Sequence, residues 1–276
     1  DNSGKDYGDP STWQWELYDL SKDWTQFNDV ADQYPEKVKE LDKLFWEEAE
    51  RNQVMPMDTT TFTRSLLPRP NLSAGRTEFT YSGKITGTPN ANAPNVLASS
   101  YNIKAEIEVP EGGGEGMLVT HGGRFAGYGF YLLKGKPVYT WNLFGMKRVK
   151  WEGKKALSPG KHTVEFDFKY DGMGAETLKY GSPSGLGQGG TGTLKVDGKV
   201  VATEKMEKTI PMLLQWDESF DVGADTGSPV DDKDYKTPFH FNGELNKLTL
   251  IIDRPKLSPE DIKKLKMAVH GNPASE

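Results

Sequence analysis

HTVEFDFKY, residues 162–170, alternates apolar and polar side chains with a period of two. Val164, Phe166 and Phe168 fall on one side, Glu165 and Asp167 on the other. That is the pattern of a strand with one buried and one solvated face. Outward from it the same texture recurs, with candidate strands at 77–82, 100–109, 116–121, 127–133, 137–143, 146–151, 161–169, 191–197, 199–205, 216–222 and 240–252. Lys134-Gly135-Lys136 and Asp197-Gly198 have the chemistry of hairpin turns, because glycine supplies the left-handed backbone such turns need. About eleven short strands with no helix between them predict a mainly β fold, an antiparallel two-sheet jelly-roll sandwich.

The flanks read differently. WQWELYDL, residues 13–20, also alternates, with Trp13, Trp15 and Leu17 on one side, and predicts a half-buried strand. Pro35 suits a first helical position, and Val38, Leu41, Phe45 and Ala49 keep helical spacing, so a helix is expected over 35–52. Residues 55–75 hold Pro56, Pro68 and Pro70 and read as a surface linker. DGMGAETLKYGSPSGLGQGG, residues 171–190, reads as a long glycine-rich loop. In LSPEDIKKLKMAVHG, residues 257–271, Ser258 caps a helix, Asp261 completes a capping box, and Gly271 ends the helix. The expected organisation is a strand and helix within 1–58, a linker over 59–76, a sandwich over 77–253, and a helix with its tail over 254–276.

Composition narrows the function. The chain has 276 residues, a formal net charge of −6 and no cysteine. No basic footprint of a nucleic-acid partner is present, and no apolar run is long enough to span a membrane. Without cysteine there is no disulfide, no thiolate catalysis and no cysteine-ligated zinc. The compartment stays open; a bacterial periplasmic or secreted setting is compatible with it.

Three groupings could carry chemistry. Glu165 and Asp167 share a face, as in an E-x-D-x-x-E glycosidase strand, but Tyr170 stands where the second acid belongs. Retaining hydrolysis needs two carboxyls about 5–5.5 Å apart, so a solvated outer face is the preferred reading. In HGGRFAGYGFYLL, His121, Arg124 and Tyr128 are candidates to line a groove for an anionic or sugar ligand, with Trp141 as a stacking surface. The competing reading makes the aromatics core and pairs Arg124 with an acid. Asp217, Asp221 and Asp225, with Glu218, supply the hard oxygens that calcium prefers. The D-x-[DN]-x-[DN]-G loop pattern is absent, so no metal site is assigned and a solvated acidic loop is preferred.

WELYDLSKDWTQFNDVADQYPEKVKELDKLFWEEAERNQVMPMD, residues 15–58, resembles the end of a bacterial arylsulfatase catalytic domain. The matching residues are Trp15 to Leu20, then Asp23, Gln26, Asp29 and Ala31, then Tyr34 to Lys37, and along the helix Leu41, Leu44, Phe45, Trp46, Glu48 and Ala49. Arg69 to Thr77, GMLVTHGGRFAGYGFYLLKGKPVYTWNL, SPGKHTVEFDF, GGTGTLKVDGK and ESFDVGADTGSPV resemble the β-rich region that follows in longer members, extending the likeness over 13–253. The resemblance implies a concanavalin-like sandwich acting as an accessory of a sulfate-ester hydrolase, structural or substrate-gating. The C/S-x-P-S/A-R nucleophile motif is absent; Ser65-Leu66-Leu67-Pro68-Arg69 has its proline one position late. Formylglycine and calcium are therefore expected in a catalytic domain outside this chain, which would be its partner, and the chain alone is expected to be inactive. Self-association through Trp13, Trp15 and Leu17 is expected if that partner is missing. The alternative is a lectin-like module for sulfated or neutral glycans, with an aryl sulfate ester as a further possible ligand.

Overall fold

The computed structural model describes residues 12–55, 72–180, 185–211, 218–254 and 256–270. It forms two compact units divided between Pro70 and Asn71.

The first unit is built on helix α1, Pro35–Arg51. Proline opens it, where the missing N–H has no partner to lose, and Glu36 faces the positive end of the helix dipole. Trp13–Leu20 joins no β-ladder among the described residues, which corrects the expected strand. Trp15 instead packs edge-on against Phe45, with ring centroids 5.2 Å apart. Asp42 accepts hydrogen bonds from the indoles of Trp15 and Trp46 at 2.8 and 2.9 Å. The joint is held by carboxylates: Asp23 accepts from the amides of Phe27 and Asn28, and Asp29 from those of Leu17 and Ala31.

The second unit is a sandwich of two sheets. Its strands are β1 Glu78–Tyr81, β2 Ile85–Thr88, β3 Ser100–Val109, β4 Gly116–Gly122, β5 Gly127–Leu133, β6 Lys136–Leu143, β7 Lys147–Glu152, β8 Gly160–Tyr170, β9 Gln188–Val196, β10 Lys199–Lys208, β11 Phe220–Val222, β12 Ala224–Asp225, β13 Phe239–His240 and β14 Glu244–Asp253. One sheet is antiparallel with order β1-β14-β3-β8-β9-β10; the other runs β12-β13-β4-β5-β6-β7, with β11 pairing β2 and β4. The mainly β, two-sheet fold expected from the sequence is what the structure has. The Lys134-Gly135 and Asp197-Gly198 turns both have positive φ at both residues.

Alternation places the core. From β3, Tyr101, Ile103, Ala105 and Ile107 point inward; from β8, Val164, Phe166 and Phe168; between them Ile103 faces Phe166. Trp151 crosses from the larger sheet and donates its indole N–H to the carbonyls of Gly192 and Glu204, at 3.0 and 3.2 Å. Position 192 must be glycine: a Cβ there would lie 2.6 Å from the Trp151 ring and 2.7 Å from Phe166. Glu165 is held on the outer face by Asn102 and Lys195, as a solvated strand face requires.

Helix α2, Pro259–His270, begins in the expected capping box, Ser258 and Asp261 bonding each other's side chains and amides. Within the 171–190 segment, Ala175–Tyr180 forms a 3-10 helix. Among the described residues no helix is long and apolar enough to cross a membrane.

Candidate functional site

The outer face of the larger sheet is not open. The segment between β12 and β13, residues 226–238, folds back over it as a strap. Val230 and Tyr235 of the strap are buried, Tyr235 against Met117, Tyr131 and Val138 of the sheet, and Tyr235 stacks on Phe239 with centroids 4.5 Å apart. Lys150 on β7 holds Asp231 and Asp234 at 3.0 and 2.6 Å. Tyr131 on β5 donates to Asp234, and Arg148 donates to the Val230 carbonyl at 2.8 Å. Hence β4 is buried on both faces, and so is β5 through Leu132.

Three of the four residues expected to line a groove lie on the inner face of the same sheet, away from the strap. His121, Tyr128 and Trp141 do come together, but as an interior cluster. Tyr128 stacks on Trp141 at 6.1 Å, and His121 meets Tyr128 edge-on at 6.1 Å. All three are buried, so the expectation that they form an open surface is corrected: their alternation points them between the sheets. Each keeps one polar atom without a partner, His121 Nδ1, Tyr128 Oη and Trp141 Nε1. Only Arg124 is exposed, gripping Asp232 with Nε 3.1 Å from both carboxylate oxygens and Nη2 2.7 Å from one. That grip holds the Asp232 carboxyl below the usual carboxylate range.

Of the candidate calcium ligands, Asp221 and Asp225 are buried and hydrogen-bonded within the protein, which corrects the expected solvated loop. Asp217 lies outside the described residues. Asp221 accepts from the amides of Gly87 and Thr226 and the hydroxyls of Ser219 and Thr226. Asp225 accepts from Tyr235 Oη at 2.6 Å. Among the described residues no three acidic or histidine side chains converge on a common point.

Asp225 has a consequence for stability. Burial, with Glu218 and Asp221 nearby, pushes its carboxyl up from 3.8 to about 7, against the hydrogen bonds from Tyr235 and Gly227. The folded chain keeps this proton where the unfolded chain has released it. Its stabilising contribution is full below pH 3.8 and is lost as pH rises towards 7. Asp225→Asn should therefore raise the melting temperature over wild type at about pH 8 and lose that gain near pH 4. A gain independent of pH, read by differential scanning calorimetry, contradicts this account.

The surface Arg124 belongs to is built by two hairpin tips. Buried Asn142, on β6, donates to the carbonyls of Gly123 and Arg124, both at 2.8 Å, and accepts from the Gly145 amide at 2.9 Å. It ties the β4–β5 tip to the β6–β7 tip. Ser228 of the strap accepts from the Arg124 amide at 2.9 Å. The tips present Phe125, 64% exposed, Phe144, 47% exposed, and Met146. Phe144 has φ of +52°, a left-handed conformation that a bulky residue adopts at a cost of about 1 kcal/mol or more. Nothing in the alternation of the flanking strands marks Phe125, Phe144, Asn142 or Asp232. The one available signal was the Phe144-Gly145 step between two strand-like runs.

No family model and no curated protein matches the chain, so the likeness of residues 13–253 to an arylsulfatase end has no support from either. Among solved structures, the sialidase CBM40 of Ruminococcus gnavus bound to alpha2,3 sialyllactose is similar at 13% identity, covering 68% of this chain and 97% of its own, with a TM-score of 0.41. The same module bound to alpha2,6 sialyllactose gives 13%, 68%, 98% and 0.40. The binding domain of botulinum neurotoxin serotype D gives 11%, 71%, 43% and 0.35. At such values the likeness assigns neither a site nor a ligand to this chain.

Proposed function

We propose that the β-sandwich is a non-catalytic module that binds a glycan at the rim of Phe125, Phe144 and Arg124. The observation that carries this reading is the pair of exposed aromatics on tips locked together by Asn142, one of them in a strained backbone, beside an arginine with N–H groups to spare. Strained backbone and exposed apolar surface concentrate where a chain makes contacts. The flat faces of Phe125 and Phe144 suit the C–H face of a sugar ring, and the Arg124–Asp232 pair offers donors and acceptors for hydroxyl, carboxylate or sulfate groups. Glu165 is engaged by Asn102 and Lys195, and Tyr170 stands where the glycosidase pattern needs its further acid, so a glycosidase reading has no support here.

Calorimetric titration with neutral, sulfated and sialylated oligosaccharides tests it. At least one class should bind wild type, and Phe125→Ala or Phe144→Gly should weaken it on the order of tenfold. Phe144→Gly also relieves the left-handed strain, so it should unfold no earlier than wild type. No heat across the panel, or undiminished binding by both variants, overturns the proposal.

A second reading is favoured by a separate observation. Trp13–Leu20 lies outside any β-ladder among the described residues, and Trp24 and Phe27 are 83% and 85% exposed. A chain that presents such surface suits the role of an accessory packed on a catalytic domain of the arylsulfatase type. Among the described residues the acidic side chains fit no calcium set, and no cysteine is present for conversion to formylglycine. In this reading both groups belong to the catalytic partner, and this chain contributes no reaction step. Light scattering tests it: self-association should be lost in Trp24→Ser/Phe27→Ser, and a wild-type monomer at high concentration overturns it.

A further inference from the structure

At the opposite end of β5 and β6 from the hairpin tips, a cleft of about 510 Å³ opens between the 153–158 loop and the β9–β10 hairpin. Leu157, Val196, Val200 and Val201 wall it, and Lys154 and Lys155 also line it. Three features set it apart from an ordinary surface dent. First, the register of β10 against β9 shifts between Val200 and Ala202. This bulge lets two consecutive valines, normally directed to opposite faces, line one cleft. Val200 is 59% exposed there. Second, the loop is fixed. The Gly153 amide donates to the Pro137 carbonyl and the Leu157 amide to the Gly135 carbonyl, both at 2.9 Å. His162 lies between Ser158 and Asp197, with Nδ1 2.8 Å from the Asp197 carboxylate. The cleft is therefore preformed, as small-molecule sites are. Third, its charge is uncompensated. Among the described residues neither Lys154 nor Lys155 is paired with a carboxylate; the neighbouring acids are taken, Glu152 by Lys136 at 3.1 Å and Asp197 by His162.

We propose that this cleft binds an organic anion with an apolar body, its hydrocarbon against Val196, Val200 and Val201 and its carboxylate or like group between Lys154 and Lys155. An apolar wall without charge would accept neutral and anionic bodies alike; two lysines without acidic partners select the anion. The site shares no residue with the hairpin-tip rim, so it stands or falls separately from glycan binding.

The test is calorimetry on the whole chain with two probes of the same shape, 2-naphthoate and the uncharged 2-naphthylmethanol. Wild type should bind the naphthoate at least tenfold more tightly than the alcohol. The surface variant Lys154→Glu/Lys155→Glu should weaken naphthoate at least tenfold and leave the alcohol unchanged, and Val200→Asp should weaken both. Near-UV circular dichroism of each variant verifies the fold. Absence of naphthoate binding to wild type, equal affinity for the two probes, or full naphthoate affinity in the charge-reversed variant overturns the proposal.

Discussion

Phe166→Ala should lower the unfolding free energy by about 3–5 kcal/mol, the range for emptying an aromatic from a close-packed core. Phe166 sits at the centre of the sandwich with no exposed surface. Its ring stacks on Tyr139 of the opposite sheet at 3.5 Å and 7°, and meets Trp151 edge-on at 5.0 Å. These contacts join the two sheets, and position 192 is glycine so that Trp151 and Phe166 fit. Alanine leaves a void that Trp151 cannot fill, because its indole N–H is committed to the carbonyls of Gly192 and Glu204. The adjacent Asp167, on the outer face, supplies the contrast: Asp167→Ala should cost under about 0.5 kcal/mol, as surface substitutions do. Urea unfolding of both variants measures the pair. Equal losses would mean that the two faces of β8 are not distinguished as described.

Acid should unfold the chain partly through His121. Its ring is buried, Nε2 donates to Asn90 Oδ1, and Nδ1 has no partner. Burial pulls its pKa from 6.5 down to about 4. The unfolded chain takes up a proton near pH 6.5 and the folded chain not until about pH 4. The stabilising contribution of the neutral ring is therefore full above pH 6.5 and is lost as pH falls towards 4. Each pH unit between those two values is worth roughly 1.4 kcal/mol, so the loss is on the order of 3 kcal/mol. Asp225 acts in the opposite sense over the same interval, losing its contribution as pH rises. Comparing wild type with His121→Asn isolates the histidine. The stability difference between them should change by about 2–3 kcal/mol between about pH 8 and pH 4.5. A constant difference would show that the imidazole is not buried neutral.

Legibility divided along the range of the interactions. Strands β3 and β5 could be placed from local sequence, as could the turns at Lys134-Gly135 and Asp197-Gly198, helix α1, and the capping box of Ser258 and Asp261. Each depends on neighbours within a few residues. The short strands β2, β12 and β13 escaped because two to four residues carry no readable period. Trp13–Leu20 shows the converse: a clear period of two, yet no ladder, because a strand needs a second strand that its own residues cannot supply.

The same limit governed the site. The sequence reading named His121 and Tyr128 together as groove-lining candidates but could not say whether their common face met water. That was decided by the opposite sheet, against which this face packs, while the strap covers the other face of β4 and β5. The strap's hold rests on pairs such as Arg124 with Asp232, 108 residues apart, and Lys150 with Asp234, 84 apart. The exposed aromatics became visible only once Asn142 joined two tips that are separate in the chain. Sequence alone thus determined the mainly β sandwich, its turns and the helix cap, because period and backbone propensity are local. Which face of each strand is buried, where the free lysines gather and which aromatics reach the surface were decided by tertiary structure. Those properties depend on what the rest of the chain places on the other side.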